Sequence, residues 1–411
     1  MLHFRPFSQD TSARLTAAGR RVPLPLAVVF LVLATAGWIV SGAAASPDIY
    51  ERQLDRWAHA TLAGRPLPSP EAPPDRISRF FAELTERQRE RLARDYPLVV
   101  GNLPGAPLSL RYQANRRALA QAREIERERM RDERLSETGR REAGRLVHRF
   151  ESMLAPGRQI LSFDPTGRGR AAEVFGDLGT AQRISVVVPG VDTQLLTFER
   201  TQRKYTAPSG MAEALYQEQQ ALGTPESTAV IAWADYEAPT GLGMSAATAR
   251  LADGGADRLL AALDGLPGGA PIALFCHSYG SVVCGVAAGE LPARVTDIAV
   301  TGSPGMRASD VSGLDTGARV WAMRNEDDWI GEVPHLEIGP FGHGNDPYDE
   351  NFGARLLSSE GAEGHGGYFT PGADSLHNMA LIGAGSVNEV TCAPGVQSCA
   401  PLDPCTATGG L

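Results

Sequence analysis

Ser278 is the residue with the clearest capacity for chemistry in this sequence, because of the segments on either side of it. An apolar run ending at Cys276 predicts a strand, and the small residues from Gly280 to Gly289 predict a helix. A serine on a tight turn between strand and helix presents its hydroxyl outward, and small neighbours relieve the crowding of that turn. We therefore predict that Ser278 is a nucleophile, with Cys276 standing where the common pattern Gly-x-Ser-x-Gly has its first glycine.

A serine nucleophile needs a histidine to take its proton and an acid to orient that histidine. In hydrolases with this kind of turn, the chain order is serine, acid, histidine. The apolar strand predicted at 319–323 leads into three acids that fit by spacing alone, Glu326, Asp327 and Asp328. Four downstream histidines are open by the same criterion: His335, His343, His365 and His377.

Two backbone N–H groups are candidates to stabilise the negative oxygen that forms when a serine attacks a carbonyl. Tyr279 follows Ser278 at the predicted start of the helix, where N–H groups point outward. Val191 follows an apolar strand and Gly190, whose lack of a side chain lets the backbone approach a substrate. The alternative at the second position is an ordinary Pro-Gly turn.

The elements around these residues alternate between short apolar strands and helices. Six strands are predicted: Gln159–Phe163, Ile184–Pro189, Thr228–Trp233, Pro271–Cys276, Asp297–Thr301 and Arg319–Met323. Their interiors are apolar without alternation, which is typical of parallel strands covered on both faces, and helical patterns at 246–263 and 281–289 lie between them. We therefore predict an α/β fold of the α/β-hydrolase type over residues 159–390, with a mostly parallel sheet and helices on both faces.

Residues 47–158 are predicted to form a linker and a helical region before that domain. A linker covers 47–75, a helical pattern covers 76–96, and one long helix is predicted over 111–154. Acids and arginines recur along the long helix at spacings of three and four, as in Glu124/Arg127 and Glu137/Arg141, which supports a helix. A solvated, salt-bridged helix lying against the domain is the favoured interpretation, and a partner-binding arm is the alternative.

Residues 1–46 have the layout of an export segment. Basic residues precede the apolar stretch Leu24–Val40, and the small residues Gly42–Ala45 follow it. A cleavable signal peptide fits this layout, and so does an uncleaved membrane anchor over Val22–Ala45, which the long leader favours. In either case we expect an extracytoplasmic protein, secreted or anchored by a single span, that meets a membrane only through this segment if it is uncleaved.

Five cysteines fall into two groups. Cys392, Cys399 and Cys405 lie in a Gly/Pro-rich tail, residues 391–411, where any two of them could pair. Cys276 and Cys284 flank Ser278 and are predicted to be buried small apolar residues.

Composition and motifs exclude several other classes of protein. The formal net charge is −9, which argues against nucleic acid as a partner. Neither a Gly-rich phosphate loop nor a Cys/His pair with zinc spacing occurs in the sequence, so we predict no metal and no organic cofactor.

A set of short motifs in this chain resembles the mainly actinobacterial α/β-hydrolase family catalogued as a domain of unknown function, number 1023. The motifs are Val100–Gly105 with Gln113–Arg116, Phe163–Pro165 with Gly176–Leu178, Val188–Gly190, His277–Ser281, Gly302–Gly305 and Gly364–Phe369. The resemblance implies a Ser-acid-His triad with His365 as the base. It favours Asp328 as the acid, because Asp328-Trp329-Ile330 resembles the family's Asp-x-Ile, and it keeps Asp327 in reserve. It implies no particular substrate.

These patterns predict a serine hydrolase, most simply an esterase or lipase-like enzyme acting on a small-molecule or lipid-like ester. An amidase or peptidase would use the same groups. A catalytically idle scaffold that binds at the cell envelope is the hypothesis from another class. Protein partners are left open.

Overall fold

The computed structural model describes residues 49–339, 341–396 and 399. The export segment predicted over 1–46 lies outside these described residues, and so does Cys405. Within the described ranges, no helix combines the length and the apolar character needed to cross a bilayer.

An eight-stranded sheet forms the centre of the domain. Its strands are β1 (Gln159–Asp164), β2 (Arg170–Phe175), β3 (Arg183–Val188), β4 (Thr228–Ala234), β5 (Ile272–His277), β6 (Val295–Thr301), β7 (Arg319–Met323) and β8 (Arg355–Leu356). The spatial order is β8-β7-β6-β5-β3-β4-β2-β1. Strands β3 to β8 pair in parallel, whereas β2 is antiparallel to both β1 and β4. The predicted mostly parallel sheet is confirmed, and all six predicted strands form.

The strand β2 was not predicted because it carries a charge in its interior. Glu173 is 3% exposed, and its carboxylate accepts two hydrogen bonds from Arg158 at 2.6 Å and one from Ser209 at 2.9 Å. A buried carboxylate is tolerated when it is paired in this way. The same charge breaks the apolar pattern by which the other strands are recognised.

Helices cover both faces of the sheet. The ten α-helices of the described residues are α1 (Ile49–Ala58), α2 (Pro74–Ala82), α3 (Glu86–Asp95), α4 (Pro97–Gly101), α5 (Leu108–Arg131), α6 (Glu137–Met153), α7 (Pro208–Ala221), α8 (Arg250–Asp264), α9 (Tyr279–Ala287) and α10 (Asp374–Ala384). Side chains of α8 and α9 enter the apolar core on one face. Those of α5, α6, α7 and α10 enter the core on the other.

Two predicted helices are each divided by a capped turn. The single helix predicted over 111–154 is wrong: α5 ends at Arg131, and Ser136 begins α6 by accepting a hydrogen bond from the Gly139 N–H. In the same way, Thr85 and Gln88 form a capping box that starts α3 and separates it from α2. Arg127 still pairs with Glu124 at 2.8 Å, and it also pairs with Glu151 of α6 at 2.6 Å, which joins the two helices.

The linker predicted over 47–75 is wrong in its first part. Helix α1 occupies Ile49–Ala58, and Trp57 is fully buried with its indole N–H donating to the Pro68 carbonyl at 2.7 Å. A fully buried tryptophan that makes a hydrogen bond contributes a large apolar area. This segment therefore packs as part of the helical region.

Two motif asparagines join the helical region to the sheet. The Asn102 side chain donates to the Phe163 carbonyl at 2.7 Å and accepts from the Phe163 N–H at 2.8 Å. Asn115 donates to the Gly101 and Ile160 carbonyls, each at 3.0 Å. A Cβ on Gly101 would lie 1.9 Å from Asn115 Oδ1, so only glycine fits there. These motif residues therefore have a structural role at the edge strand β1.

Candidate active site

Ser278 lies on the turn between β5 and α9 in a conformation that few residues adopt. Its φ and ψ are 54° and −127°, and a non-glycine residue holds such angles only where the surrounding structure enforces them. The Ser278 N–H donates to the Thr301 carbonyl at 3.0 Å. A Cβ on Gly280 would lie 2.2 Å from the Val188 carbonyl oxygen, so the helix after Ser278 can pack this closely only with glycine. The turn directs the Ser278 hydroxyl toward the ends of the strands.

Ser278, His365 and Asp328 form a continuous line of hydrogen bonds. His365 Nε2 lies 2.8 Å from Ser278 Oγ, and His365 Nδ1 lies 2.9 Å and 3.1 Å from the two Asp328 oxygens. The carboxylate can only accept, so we assign the ring proton to Nδ1, which leaves Nε2 to accept from the hydroxyl. This is the geometry that a serine needs if a histidine is to remove its proton.

Spacing along the chain allowed three acids as the partner of His365, and the structure distinguishes Asp328 from Glu326 and Asp327. Asp328 follows β7 and its side chain is buried. Asp327 is exposed and accepts a hydrogen bond from the Gly364 N–H at 2.9 Å, and Glu326 is exposed. Of the three acids, Asp328 is the one placed against His365.

The other three candidate histidines lie away from the hydroxyl of Ser278. His335 lies 3.7 Å from Asp346, and His343 Nε2 donates to the Ala246 carbonyl at 2.7 Å. His377 contacts Glu218 at 2.9 Å. Spacing along the chain allowed any of the four histidines to be the base. Of these four, only His365 lies within hydrogen-bond distance of Ser278 in the structure.

Tyr368 holds the buried carboxylate and was not predicted as a site residue. Its hydroxyl donates to Asp328 Oδ2 at 2.6 Å, and the Ile330 N–H donates to Asp328 Oδ1 at 3.0 Å. Burial raises the pKa of Asp328, but the hydrogen bonds from His365 and Tyr368 outweigh it, so the pKa lies below its usual range. Burial, followed by the nearby Asp328 charge, raises the pKa of Tyr368. The signal available in the sequence was its place three residues after His365.

His277, the neighbour of Ser278, supports the loop that carries His365. Its Nε2 lies 2.7 Å from the His365 carbonyl oxygen, so Nε2 must carry a proton and donate it. The two imidazole rings lie 4.9 Å apart. Burial, and then the neighbouring His365, lowers the pKa of His277 to about 3. His277 is therefore a neutral positioning residue near neutral pH.

This burial predicts an acid-sensitive stability. Between its ordinary pKa of 6.5 and about 3, His277 binds a proton in the unfolded chain and not in the folded protein. The free energy of unfolding should therefore fall as the pH falls through this window, by up to about 1.4 kcal/mol per pH unit from this group. Urea unfolding of the wild type and of His277→Gln, at pH 7 and at pH 5, measures the effect. The amide of glutamine keeps a donor for the His365 carbonyl, so the variant should show the smaller loss, and equal losses would contradict the assignment.

The two predicted oxyanion donors belong to segments that meet at Ser278. A Cβ on Gly190 would lie 2.6 Å from Ser278 Cβ and 3.0 Å from its Oγ, so the chain before Val191 passes directly over the serine. The Tyr236 hydroxyl donates to the Pro189 carbonyl at 2.6 Å and holds this loop in place. In the described part of the chain, the N–H groups of Val191 and Tyr279 donate no hydrogen bond. Both are therefore available to a negatively charged oxygen beside Ser278.

Cys276 and Cys284 form a disulfide, so the prediction that they are simple buried apolar residues is wrong. Both are buried as predicted, at 1% and 0% exposure. Cys276 lies near the end of β5 and Cys284 lies within α9, and their Cα atoms are 6.5 Å apart, a distance that a disulfide spans. The residue in place of the first glycine thus anchors the strand to the helix. In the tail, Cys392 pairs with Cys399.

Comparison with known proteins agrees with this fold. A family model described as an alpha/beta hydrolase matches residues 164–338. The protein Mb0988c of Mycobacterium bovis is 30% identical over 197 residues, which are 46% of this chain and 73% of that protein. The chain belongs to the alpha/beta hydrolase family.

Two further similarities are more distant. Rv2079 of Mycobacterium tuberculosis is 26% identical over 385 residues, and the match covers 78% of this chain and 57% of that protein. The chain therefore spans little more than half the length of this relative. The structure of XC6422 from Xanthomonas campestris, described as an a/b serine hydrolase without lid, has 18% identity and a TM-score of 0.28, covering 43% of this chain and 74% of that one. The more specific numbered family that the motifs resemble stays a prediction.

Proposed function

We propose that this protein is a serine hydrolase that cleaves carboxylic esters through an acyl-enzyme. The observation that carries the proposal is the line of hydrogen bonds from Ser278 Oγ through His365 to Asp328, with distances of 2.8 Å and 2.9 Å. A buried acid, an imidazole that this acid orients, and a hydroxyl within hydrogen-bond distance of that imidazole are the three parts that nucleophilic catalysis needs.

The reaction follows from these positions. His365 Nε2 takes the proton of the Ser278 hydroxyl while Oγ bonds to the carbonyl carbon of the ester, and the N–H groups of Val191 and Tyr279 stabilise the resulting oxyanion. The imidazolium, stabilised by Asp328, returns its proton to the leaving alkoxide as the ester C–O bond breaks. His365 then deprotonates a water molecule, which attacks the acyl-serine and releases the carboxylic acid and the free Ser278.

Covalent labelling tests the proposal directly. A fluorophosphonate probe should modify the protein at Ser278, and peptide mass spectrometry should locate the adduct there. The variant Ser278→Ala should stay unlabelled at the same protein and probe concentrations. A wild-type protein that remains unlabelled, or a variant that labels equally well, would favour the idle scaffold over the enzyme.

The same machinery is able to cleave amides, so a matched pair of substrates separates esterase from amidase activity. We expect a nitrophenyl ester to be turned over faster than the nitroanilide of the same acyl group. A higher kcat/KM for the nitroanilide would assign the protein to the amidases or peptidases instead.

We further propose that the catalytic domain works outside the cytoplasm. The pairs Cys276–Cys284 and Cys392–Cys399 support this, because disulfides persist mainly in oxidising compartments. An externally added protease should degrade the domain in cells whose outer layers have been removed but whose cytoplasmic membrane is intact. Protection until the membrane is lysed would contradict the proposed location.

A further inference from the structure

Large apolar side chains that contact solvent are concentrated in three segments of this protein. We define the apolar rim as six of them, with their exposed fractions: Leu242 57%, Met244 62%, Trp329 40%, Leu336 43%, Ile338 69% and Phe341 44%. Only Ile125 and Met130 of α5, at 41% and 38%, are comparably exposed large apolar side chains elsewhere in the described part of the chain. Single exposed apolar residues are ordinary, but several grouped together mark a binding surface.

Trp329 places one part of the rim against the catalytic base. It directly follows Asp328, and its ring centroid lies 4.8 Å from that of His365. A half-exposed indole in contact with the base lies where part of a substrate bound at Ser278 would pass.

The remaining rim residues lie on two segments that pack together next to the nucleophile. Phe341 pairs with Thr248, and the Gly342 N–H donates to the Ala247 carbonyl at 3.0 Å. The hairpin formed by the strands Glu337–Ile338 and Phe341–Gly342, which Leu336 directly precedes, therefore contacts the segment 241–248. Tyr279, the residue after Ser278, donates its hydroxyl to the Thr248 carbonyl at 2.7 Å. Its ring lies 5.6 Å from that of His343, which follows the hairpin.

Further hydrogen bonds connect the segment 239–244 with the loop after β3 that carries Val191. The Gly241 N–H donates to Asp192 Oδ1 at 2.9 Å, and the Asp192 N–H donates to the Pro239 carbonyl at 2.8 Å. Asp192 directly follows Val191, the proposed oxyanion donor, and Gly241 directly precedes Leu242. Leu242 and Met244 therefore lie on a segment that contacts the residue next to that donor. The apolar rim therefore borders the site beside the loop that carries Val191 as well as beside His365.

The hairpin adds no unpaired charge that would favour a polar substrate. Glu337 of the hairpin pairs with Arg307 at 2.9 Å, and the Arg307 guanidinium also donates to the Gly342 carbonyl at 3.1 Å. Apolar side chains beside a polar catalytic centre match a molecule with a reactive polar group and an apolar chain.

We propose that the apolar rim binds the acyl chain of a lipid-like ester, so that the enzyme prefers long aliphatic acyl groups. This inference rests on the proposed esterase function and specifies its substrate class. Transferring the chain from water to the rim favours the bound ester, and each added methylene adds to that effect.

The test compares acetyl and decanoyl nitrophenyl esters. The wild type should show the higher kcat/KM for the decanoyl ester. The variant Leu242→Ser/Met244→Ser, and separately Ile338→Ser, should lower the decanoyl-to-acetyl ratio of kcat/KM by about tenfold, which is the typical value of a lost apolar contact with substrate. The matched control is Ile125→Ser/Met130→Ser, which removes two exposed apolar side chains from α5 and should keep the wild-type ratio.

Each outcome decides between the two proposals. If the wild type prefers the acetyl ester, or if the rim variants keep the wild-type ratio, the rim inference is wrong while the esterase proposal stands. If the control lowers the ratio as much as the rim variants do, the effect is not specific to the rim and the inference also fails. If no ester is turned over and Ser278 is not labelled by a fluorophosphonate, the esterase proposal fails and the inference fails with it.

Discussion

Replacing Ser278 with alanine should lower kcat for an ester substrate by about a millionfold, the scale of loss seen when a catalytic serine is removed from a triad. The structure gives the reason: Ser278 Oγ is the atom that contacts His365 Nε2, at 2.8 Å. Without it the acyl-enzyme cannot form. The activity that remains would come from the oxyanion donors and from substrate binding alone.

His365→Ala should cause a loss of similar size, and the double variant should lose little more than either single one. The serine and the histidine act as one unit, so removing the second partner adds almost nothing once the first is gone. Steady-state kinetics of the three variants measures this. The control is His377→Ala, since His377 contacts Glu218 away from Ser278, and its kcat should be close to that of the wild type. Losses that add fully in the double variant would show that Ser278 and His365 do not act together.

The second large effect is expected at the acid. Asp328→Asn should lower kcat by about ten-thousandfold, because an amide in place of the carboxylate favours the wrong tautomer of the histidine and removes the charge that stabilises the imidazolium. Here that amide would face His365 Nδ1, Tyr368 and the Ile330 N–H together. The side chain is buried, so no water can take over its role.

Asp327→Asn is the matched control for this substitution. Asp327 is exposed, and its amide counterpart keeps an oxygen that can accept from the Gly364 N–H. We expect its kcat/KM to stay close to that of the wild type. If Asp327→Asn were the more damaging change, the acid would have to be reassigned to Asp327. Thermal unfolding of both variants separates a loss of activity from a loss of structure.

Most of the sheet could be predicted because most of its strands can be recognised from their own residues. The apolar interiors of β3 to β7 reflect burial on both faces, which is a property of each segment by itself. The strand β2 was not predicted because Glu173 is charged and is stabilised in the interior by Arg158, which lies on another segment. The breaks after α2 and α5 were present in the sequence as the capping residues Thr85 and Ser136, but the helical pattern on either side obscured them.

For the site, the sequence by itself was enough to predict Ser278 as the nucleophile and Tyr279 as an oxyanion donor, because a strand, a tight turn and a helix of small residues follow one another within a short stretch of chain. The family resemblance pointed to Asp328 and His365, but spacing left their neighbours equally open. Only the tertiary structure brought His365 to Ser278 across 87 residues and to Asp328 across 37. It also decided the Cys276–Cys284 pair and the contact of Tyr368 with Asp328. The physical reason is that a turn is made by neighbouring residues, whereas a hydrogen bond between distant segments depends on how the whole sheet aligns the ends of its strands.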